Sequence, residues 1–454
     1  MTTTHSNPPP ALSRADFGPD FLWGCATSSY QIEGASAEDG RVESIWDRFA
    51  ATPGKVRDGS SGAVACDHYH RFPEDLDIAR DMGTGAYRFS IAWPRIFSET
   101  GVPNEKGLDF YSRLVDGMLE RGLQPWATLY HWDLPQALQD RGGWNERATV
   151  DAYLAFVDAV TRRLGDRVQH WITQNEPWCT AMIGNFEGVH APGLTDFGTA
   201  LQVCHHVLLA HGKAVPLIRA NVPDAQVGIS LSLHPVRAAS DSAADREAVQ
   251  RHDGLRYRWF LDPLYGRGYP AATLAQVGAA APTVLPGDME AIAVATDFLG
   301  VNYYFPETIA DAPGHPPLST RVLARTDVET TALGWEVAPH GMTELLARIE
   351  QDYRPGPMYI TENGSCYDDA IGADGEIDDV GRRRYLQRHL AALKDAIDAG
   401  VNVKGYFAWS LIDNFEWAEG YLRRFGLVHV DYATQQRRLK ASGKWYRAFL
   451  TQQP

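Results

Sequence analysis

Short apolar segments and helical patterns alternate along most of the chain. Each short segment has the compact apolar or β-branched character that is typical of a strand buried on both faces. Eight such segments are found, at Phe21–Gly24, Ala86–Ile91, Pro125–Tyr130, Val168–Thr173, Gln226–Leu231, Asp297–Asn302, Pro357–Thr361 and Val403–Trp409.

The stretches between these segments repeat apolar residues at steps of three and four. Val150, Leu154, Val157, Val160 and Leu164 follow this spacing, which predicts a helix from about Glu146 to Leu164 with one apolar face. The same spacing predicts helices over 108–122 and 380–399.

Strand and helix alternating eight times predict an α/β fold, a single (β/α)₈ TIM barrel with extended βα loops. An open, doubly wound sheet is the alternative, but it should carry a Gly-x-Gly-x-x-Gly turn after an early strand, and none is present. We expect a flexible tail over residues 1–16 and one domain over 17–454. The region Asp311–Gly334, with three prolines and little periodicity, is predicted to be a long loop.

The charge balance and the cysteines limit the possible partners and the location. Lysine plus arginine number 42 and aspartate plus glutamate 57, which gives a net charge of −15. Such an acidic surface disfavours nucleic acid and anionic lipid as partners, and no apolar run approaches the roughly 20 residues of a membrane span. Five cysteines without a Cys-x-x-Cys pair suit free thiols, which predicts a cytoplasmic location.

Two stretches each place a glutamate just past a predicted strand. These are Thr173–Pro177, which contains Glu176, and Tyr359–Gly364, which contains Glu362. Hydrolysis of a glycosidic bond needs two carboxyl groups, one to protonate the departing oxygen and one to meet the oxocarbenium-like centre. The pair therefore indicates one glycosidase active site.

Other polar and aromatic residues gather at the same ends of the predicted strands. They are Gln31 and Glu33, Arg88, His131–Asp133, Asn175, Asn302–Tyr304, Asn363 and Trp409–Trp417. Catalytic groups of a TIM barrel lie where strands end and loops begin, whereas polar residues with purely structural roles have no reason to collect there.

The chain resembles family 1 of the glycoside hydrolases, the β-glucosidase family, from about Phe17 to Leu450. The resemblance depends on motifs that occur in order along the chain, namely Phe21–Gly24, Ser29–Gly34, Tyr87–Ile91, His131–Pro135, the two glutamate stretches and Asn414–Trp417. It implies a retaining enzyme that removes terminal β-D-glucosyl residues from cello-oligosaccharides and from aryl or alkyl β-glucosides. The histidines form no His-Glu-x-x-His or other spaced ligand set, so we expect neither a metal nor a cofactor.

The same resemblance implies roles for individual residues. Glu176 would be the acid/base and Glu362 the nucleophile, and with the carboxyls about 5 Å apart the charge on Glu362 would keep Glu176 protonated. The implied substrate-binding residues are Gln31, His131, Trp132, Asn175, Tyr304, Trp335, Trp409, Glu416, Trp417 and Phe425, of which Trp335 would lie on the aglycone side and Phe425 near the sugar in the first subsite. Arg88, Asn302 and also Tyr304 would support the nucleophile.

One residue departs from the family pattern. Gln174 stands where an apolar or aromatic residue is usual, and strand alternation should turn its side chain away from the face of Glu176. We therefore expect altered packing and unchanged activity, and a buried amide at this position would need a hydrogen-bond partner.

Several alternatives stay open. The enzyme could prefer β-galactosides or β-fucosides, since the same groups can bind an epimer at C4. A 6-phospho-β-glycosidase is disfavoured because Glu416 would repel the phosphate, and a non-catalytic sugar-binding relative should have lost one of the two glutamates. The sequence leaves the oligomeric state open.

Overall fold

The computed structural model describes residues 12–97 and 101–451. Its strands are β1 (Leu22–Ala26), β2 (Ala86–Ser90), β3 (Gln124–Thr128), β4 (His170–Asn175), β5 (Gln226–Ser232), β6 (Val236–Ala238), β7 (Phe298–Asn302), β8 (Glu307–Asp311), β9 (Thr320–Leu323), β10 (Met358–Asn363), β11 (Val403–Trp409), β12 (Val428–Val430) and β13 (Arg437–Leu439). Eight of them close a parallel barrel in the order β1, β2, β3, β4, β5, β7, β10 and β11. The predicted (β/α)₈ barrel is confirmed.

Helices connect each barrel strand to the next. They are α1 (Ser29–Ile32), α2 (Ile45–Ala51), α3 (His68–Asp81), α4 (Trp93–Ile96), α5 (Glu105–Glu120), α6 (Gln136–Gln139), α7 (Ala148–Leu164), α8 (Phe197–Asn221), α9 (Ala243–Asp253), α10 (Trp259–Leu264), α11 (Ala271–Val277), α12 (Asp288–Ile292), α13 (Pro339–Tyr353), α14 (Val380–Asp398) and α15 (Ala441–Thr451). In α7, Val150, Val157, Val160 and Leu164 are buried as the spacing predicts. The three predicted helices correspond to α5, α7 and α14.

The predicted loop over 311–334 needs correction. Within it, β9 pairs antiparallel with β8, and β8 also pairs with β6 in a small separate sheet. The strand β9 is not apparent from the sequence because it has only four residues and Val322 in it is 51% exposed, so that no apolar alternation develops.

The region before β1 is held against the end of the chain. Arg14 begins a 3₁₀ turn over Arg14–Phe17 and donates from Nη1 to the carbonyl oxygen of Leu450 at 3.2 Å, while Phe17 packs on Trp23 at 4.9 Å between ring centroids. Residues 1–11 of the predicted tail lie outside the described residues, and the tail stays a prediction there, as does the single domain over 17–454.

Large side chains fill the barrel interior. The buried Trp126 on β3 lies 5.2 Å from Phe298, 4.7 Å from Tyr359 and 5.1 Å from Phe407 between ring centroids, so that it joins rings from β7, β10 and β11. A TIM barrel is a packed core and not a pore, and its ligands bind at the carboxyl ends of the strands.

The strands that carry the two glutamates are irregular at those ends. The pairing of β4 with β5 shifts register between Ile172 and Asn175, and the pairing of β10 with β7 shifts between Ile360 and Glu362. Glu176, directly after β4, has a φ of 47°. Bulges next to active sites redirect side chains, and these shifts occur where Glu176 and Glu362 leave the sheet.

A buried ion network fixes the segment after β11. The Nζ of the fully buried Lys440 lies 2.6 Å from Asp413 Oδ1 and 2.5 Å from Asp369 Oδ2, and Arg424 Nη1 lies 2.6 Å from Asp413 Oδ2. Asp413 immediately precedes Asn414–Trp417, so the network anchors the start of that motif.

Among residues 12–97 and 101–451, no helix is both long enough and apolar enough to cross a lipid bilayer. All five cysteines are buried and unpaired: Cys25, Cys66, Cys179, Cys204 and Cys366.

Candidate active site

A continuous chain of buried hydrogen bonds joins the two glutamates. Arg88 donates from Nη1 to Glu362 Oε1 at 2.6 Å and from Nη2 to Asn175 Oδ1 at 2.6 Å. Asn302 donates from Nδ2 to the same Asn175 oxygen at 3.1 Å and to Glu176 Oε1 at 2.9 Å. Strands β2, β4, β7 and β10 thus bring Glu176 and Glu362 into one polar cluster at the carboxyl end of the barrel.

Two donors hold the carboxylate of Glu362. Besides Arg88, the Tyr304 hydroxyl donates to Glu362 Oε2 at 2.7 Å, so that each carboxylate oxygen has its own partner. Arg88 is fully buried and is itself fixed by hydrogen bonds to Thr361 O and Thr128 Oγ1. A charge-assisted bond from a fixed guanidinium orients the carboxylate strongly. The contacts of Arg88 and Tyr304 agree with their expected support of this residue.

Glu176 has a different environment. Burial, followed by the negative charge of Glu362, raises the pKa of Glu176 to about 7, although hydrogen bonds from Asn302 and Cys179 act in the opposite direction. Glu176 therefore holds its proton below about pH 7. Two carboxyls in one site with different environments are the arrangement expected of an acid and a nucleophile.

The expectation for Asn302 needs correction. Its amide was expected to support Glu362, but Nδ2 donates to Glu176, and its Oδ1 accepts from Thr361 Oγ1 at 2.6 Å. Asn302 ends β7, which lies between β5 and β10, and its backbone is in register with Glu362. The side chain reaches across to the glutamate that follows β4, a direction that the sequence pattern does not reveal.

Gln31 and Glu416 lie together at the ends of β1 and β11. Gln31 Nε2 donates to the Phe415 carbonyl at 2.9 Å and to Glu416 Oε2 at 3.4 Å, and its Oε1 accepts from Ser28 Oγ at 2.6 Å. Burial, followed by the charge of Glu362, raises the pKa of Glu416 to about 8. The structure thus brings these two sugar-binding candidates together beside the glutamates.

His131 connects the glutamate cluster to the tryptophans. Its Nε2 lies 3.1 Å from Asn175 Nδ2, and its ring stacks near Trp409 and Trp417, each at 5.9 Å between centroids. Burial, with a contribution from Arg88, lowers the pKa of His131 well below its usual value, so the ring is neutral. Asn175 can then donate to Nε2, which leaves the proton on Nδ1.

Trp132 packs between the same groups. Its Nε1 donates to the Asn175 carbonyl at 2.9 Å, and its ring lies 4.5 Å from that of Trp417. These contacts place Trp132 behind Asn175 in the wall of the site.

The remaining aromatic candidates form a second cluster beside Glu362. Trp335 lies 5.4 Å from Tyr304 and 5.9 Å from Phe425 between ring centroids, and Tyr304 and Phe425 lie 6.3 Å apart. Trp335 is therefore connected to the site through Tyr304.

Two residues differ from the strand-end pattern. Glu33 belongs to the pattern but points away from the site, and Cys179 is absent from the pattern but contacts the site. Glu33 pairs with Arg95 at 3.1 Å and accepts from the Tyr111 hydroxyl at 2.6 Å, which indicates a structural role. Cys179 was assigned no role, yet its Sγ lies 3.1 Å from Glu176 Oε2. Its position three residues after Glu176, one turn along a helical segment, was the available signal.

Gln174 is fully buried, as its place within β4 suggests. Its amide lies beside the Tyr153 hydroxyl, and neither its nitrogen nor its oxygen makes a well-formed hydrogen bond to a described residue. Burial of an incompletely bonded amide is costly, by about 1–3 kcal/mol.

We expect Gln174→Met to stabilise the protein, because methionine has a similar volume and no polar group to bury. The free energy of unfolding should rise by about 1–2 kcal/mol, with kcat/KM unchanged. Denaturant titration beside the unaltered protein measures the difference. A loss of stability in Gln174→Met would mean that the amide is satisfied in the folded protein.

Over the described residues, no three His, Cys, Asp or Glu side chains are grouped in a way that could hold a metal ion.

Comparison with known proteins agrees with this geometry. The model of the family described as glycosyl hydrolase family 1 matches residues 13–454. The chain belongs to glycosyl hydrolase family 1. Beta-glucosidase A of Acetivibrio thermocellus is a family relative, 46% identical over 443 residues, which are 96% of this chain and 98% of that protein. The beta-glucosidase of an Agrobacterium species is also 46% identical over 443 residues, 97% of this chain and 96% of the relative.

Solved structures show the same fold. The family 1 b-glucosidase from Thermotoga maritima superposes with a TM-score of 0.93 at 44% identity, over 96% of this chain and 98% of that structure. The AHE enzyme from Alicyclobacillus herbarius gives a TM-score of 0.93 at 48% identity, over 95% and 97% of the two chains.

Proposed function

We propose that this family 1 protein is a retaining β-glucosidase, with Glu362 as the nucleophile and Glu176 as the acid/base. The observation that carries the proposal is the hydrogen-bonded chain from Glu362 through Arg88, Asn175 and Asn302 to Glu176. It holds two carboxyls of unlike environment in one buried cluster, as double displacement requires.

In the first step, the Glu362 carboxylate attacks the anomeric carbon and Glu176 gives its proton to the departing oxygen. Arg88 and Tyr304 hold Glu362 so that one oxygen is presented to the sugar. The raised pKa of Glu176, about 7, keeps this residue protonated at neutral or lower pH. The products are a glycosyl ester of Glu362 and the free aglycone.

In the second step, water displaces Glu362 from the sugar. Esterification removes the charge of Glu362, which is one of the two main causes of the raised pKa of Glu176. The pKa of Glu176 therefore falls in the intermediate, and the residue can take a proton from the attacking water. Glu176 serves first as an acid and then as a base, and the anomeric configuration is retained.

The polar residues around Glu362 can form hydrogen bonds with the hydroxyls of a glucosyl group bound at the nucleophile. Gln31 and Glu416 offer directional partners to hydroxyls, and the Nδ1 proton of neutral His131 has no partner among the described residues and can donate. Asn175, bonded to Arg88 and Asn302, is expected to contact the 2-hydroxyl, where hydrogen bonds strengthen in the transition state.

The aromatic residues supply apolar surface on both sides of the scissile bond. Trp409 and Trp417 are proposed to offer indole faces to the C–H face of the sugar, and Trp132 packs on Trp417. Trp335, which packs on Tyr304, is proposed to contact the aglycone, and Phe425, which packs on both rings, is proposed to lie near the sugar in the first subsite.

Two related activities compete with this assignment. β-Galactosides and β-fucosides differ little at the positions that these groups contact, so some hydrolysis of both is expected. A 6-phosphoglycoside is disfavoured because the buried Glu416 carboxyl, whose pKa is raised to about 8, supplies no positive charge to a phosphate and would repel it once ionised.

Relatives from Thermotoga neapolitana are named 1,4-beta-D-glucan glucohydrolase, and we propose that cello-oligosaccharides from cellulose are among the substrates here.

We also propose a cytoplasmic location, which five unpaired cysteines favour. Fractionation of the source cells checks the location.

The pH dependence of kcat/KM for 4-nitrophenyl β-D-glucoside tests the proposed function. Activity requires protonated Glu176 in the free enzyme, so kcat/KM should be high below about pH 7 and fall as the pH rises through that value. The titration belongs to the pair of carboxyls and not to Glu176 alone. Absence of hydrolysis, or activity that rises through pH 8, would contradict the proposal.

A further inference from the structure

The thiol of Cys179 contacts the carboxyl of Glu176. The distance from Sγ to Glu176 Oε2 is 3.1 Å, within hydrogen-bonding reach of a thiol donor. The other carboxyl oxygen, Oε1, accepts from Asn302 Nδ2. Each oxygen of the proposed acid/base therefore has one donor within the protein.

The backbone fixes this contact. Glu176 has a φ of 47°, and its carbonyl accepts from the backbone N–H of Cys179 at 2.9 Å and of Thr180 at 3.3 Å. Cys179 then begins a π-helical segment, Cys179–Glu187. Because the turn is closed by two backbone hydrogen bonds, the Cys179 side chain is held beside the Glu176 carboxyl.

The thiol stays protonated and can only donate to a carboxylate. Burial, followed by the negative charge of Glu176, raises the pKa of Cys179 well above its usual value. The bond to Glu176 is the one hydrogen bond of this sulfur within the described residues. A thiol with this partner stabilises the ionised form of the carboxyl over the protonated form.

We propose that Cys179 is a positioning residue that donates its S–H to Glu176 and stabilises the ionised Glu176 that acts as base in the second step. The inference rests on the proposed function and deepens it. Burial and Glu362 favour protonated Glu176, which suits the first step, whereas the second step needs the ionised form. The two donors, Cys179 and Asn302, and the positive charge of Arg256 favour that ionised form.

Cys179→Val and Cys179→Ser test the inference. Valine removes the donor at similar volume, so the alkaline limb of the kcat/KM profile should move up by about 0.5–1 pH unit. Serine keeps a donor, so its limb should stay at or below that of the unaltered enzyme. The dinitrophenolate of a 2,4-dinitrophenyl β-glucoside leaves without an acid, so kcat for this substrate reports the second step. The acidic limb of kcat in Cys179→Val should also move to higher pH, because Glu176 then ionises to its base form only at higher pH.

Cys204→Ala is the matched control, since Cys204 is also a buried free thiol but lies in α8 without a contact to Glu176. Its pH limbs should coincide with those of the unaltered enzyme. A purely structural role of Cys179 would lower activity by the same factor at every pH. If Cys179→Val does not fold, Cys179→Ala serves as the variant without a donor.

The results separate the two claims. An unaltered enzyme without β-glucosidase activity would overturn the proposed function. An active enzyme whose Cys179→Val or Cys179→Ala limbs coincide with those of the unaltered enzyme would overturn only the inference.

Discussion

Replacing Glu362 by glycine should abolish hydrolysis of β-glucosides, with a loss of kcat on the order of 10⁴-fold or more, and added azide should restore turnover. The variant retains Glu176 as acid but has no nucleophile. Azide can occupy the space of the lost carboxylate beside Arg88 and Tyr304, both of which donate to Glu362 in the structure. Because azide attacks once and no ester forms, the product should be α-glucosyl azide, of inverted configuration.

Glu362→Gln is the matched control for this experiment. It removes the same charge but fills the same volume, so azide should not restore its activity. NMR of the product from a 2,4-dinitrophenyl β-glucoside identifies the anomer. A Glu362→Gly variant that is active and indifferent to azide would refute Glu362 as the nucleophile.

Replacing Glu176 by alanine should affect substrates according to their leaving groups. General acid catalysis contributes about 10²–10⁴-fold when the leaving group needs a proton. We expect kcat/KM for cellobiose to fall by about that factor, and kcat/KM for a 2,4-dinitrophenyl β-glucoside to change by less than about tenfold. The Michaelis parameters of both substrates measure the difference.

The same variant offers a second check on the base role. With the activated substrate, the glycosyl-enzyme should accumulate, because water has lost its base, and a burst of dinitrophenol should precede a slow steady state. Glu176→Gln, which keeps the volume but cannot donate an acidic proton, should behave alike. Equal losses for both substrates would count against Glu176 as the acid.

The fold was predictable because it depends on local patterns. Each barrel strand is a short apolar run, and α7 carries its buried face at the predicted residues. Several observed strand ends differ from the predicted ends by one or two residues. Gln124 and Ser232, for example, pair with a neighbouring strand although they are polar and do not extend the apolar run. The strand β9 was missed because four half-exposed residues have no periodicity to detect.

The site was predictable as a set of residues and less so as a set of contacts. Glu176 and Glu362 were found because the motifs around them are local in the chain. The direction in which the Asn302 side chain points could not be predicted, because it depends on the register of three neighbouring strands and on the bulges in β4 and β10. The contact of Cys179 with Glu176 was signalled by their spacing of three residues, but the positive φ of Glu176 that accompanies it follows no simple sequence pattern.

The most direct test of the account is to trap the glycosyl-enzyme. Fluorine at C2 destabilises the oxocarbenium-like transition state, so a 2,4-dinitrophenyl 2-deoxy-2-fluoro-β-glucoside should react once and leave a stable ester. Mass spectrometry of the inactivated protein and of its peptides then locates the sugar. The account predicts one fluoroglucosyl group per chain, on Glu362; a label on another residue, or rapid turnover of the reagent without any label, would contradict it.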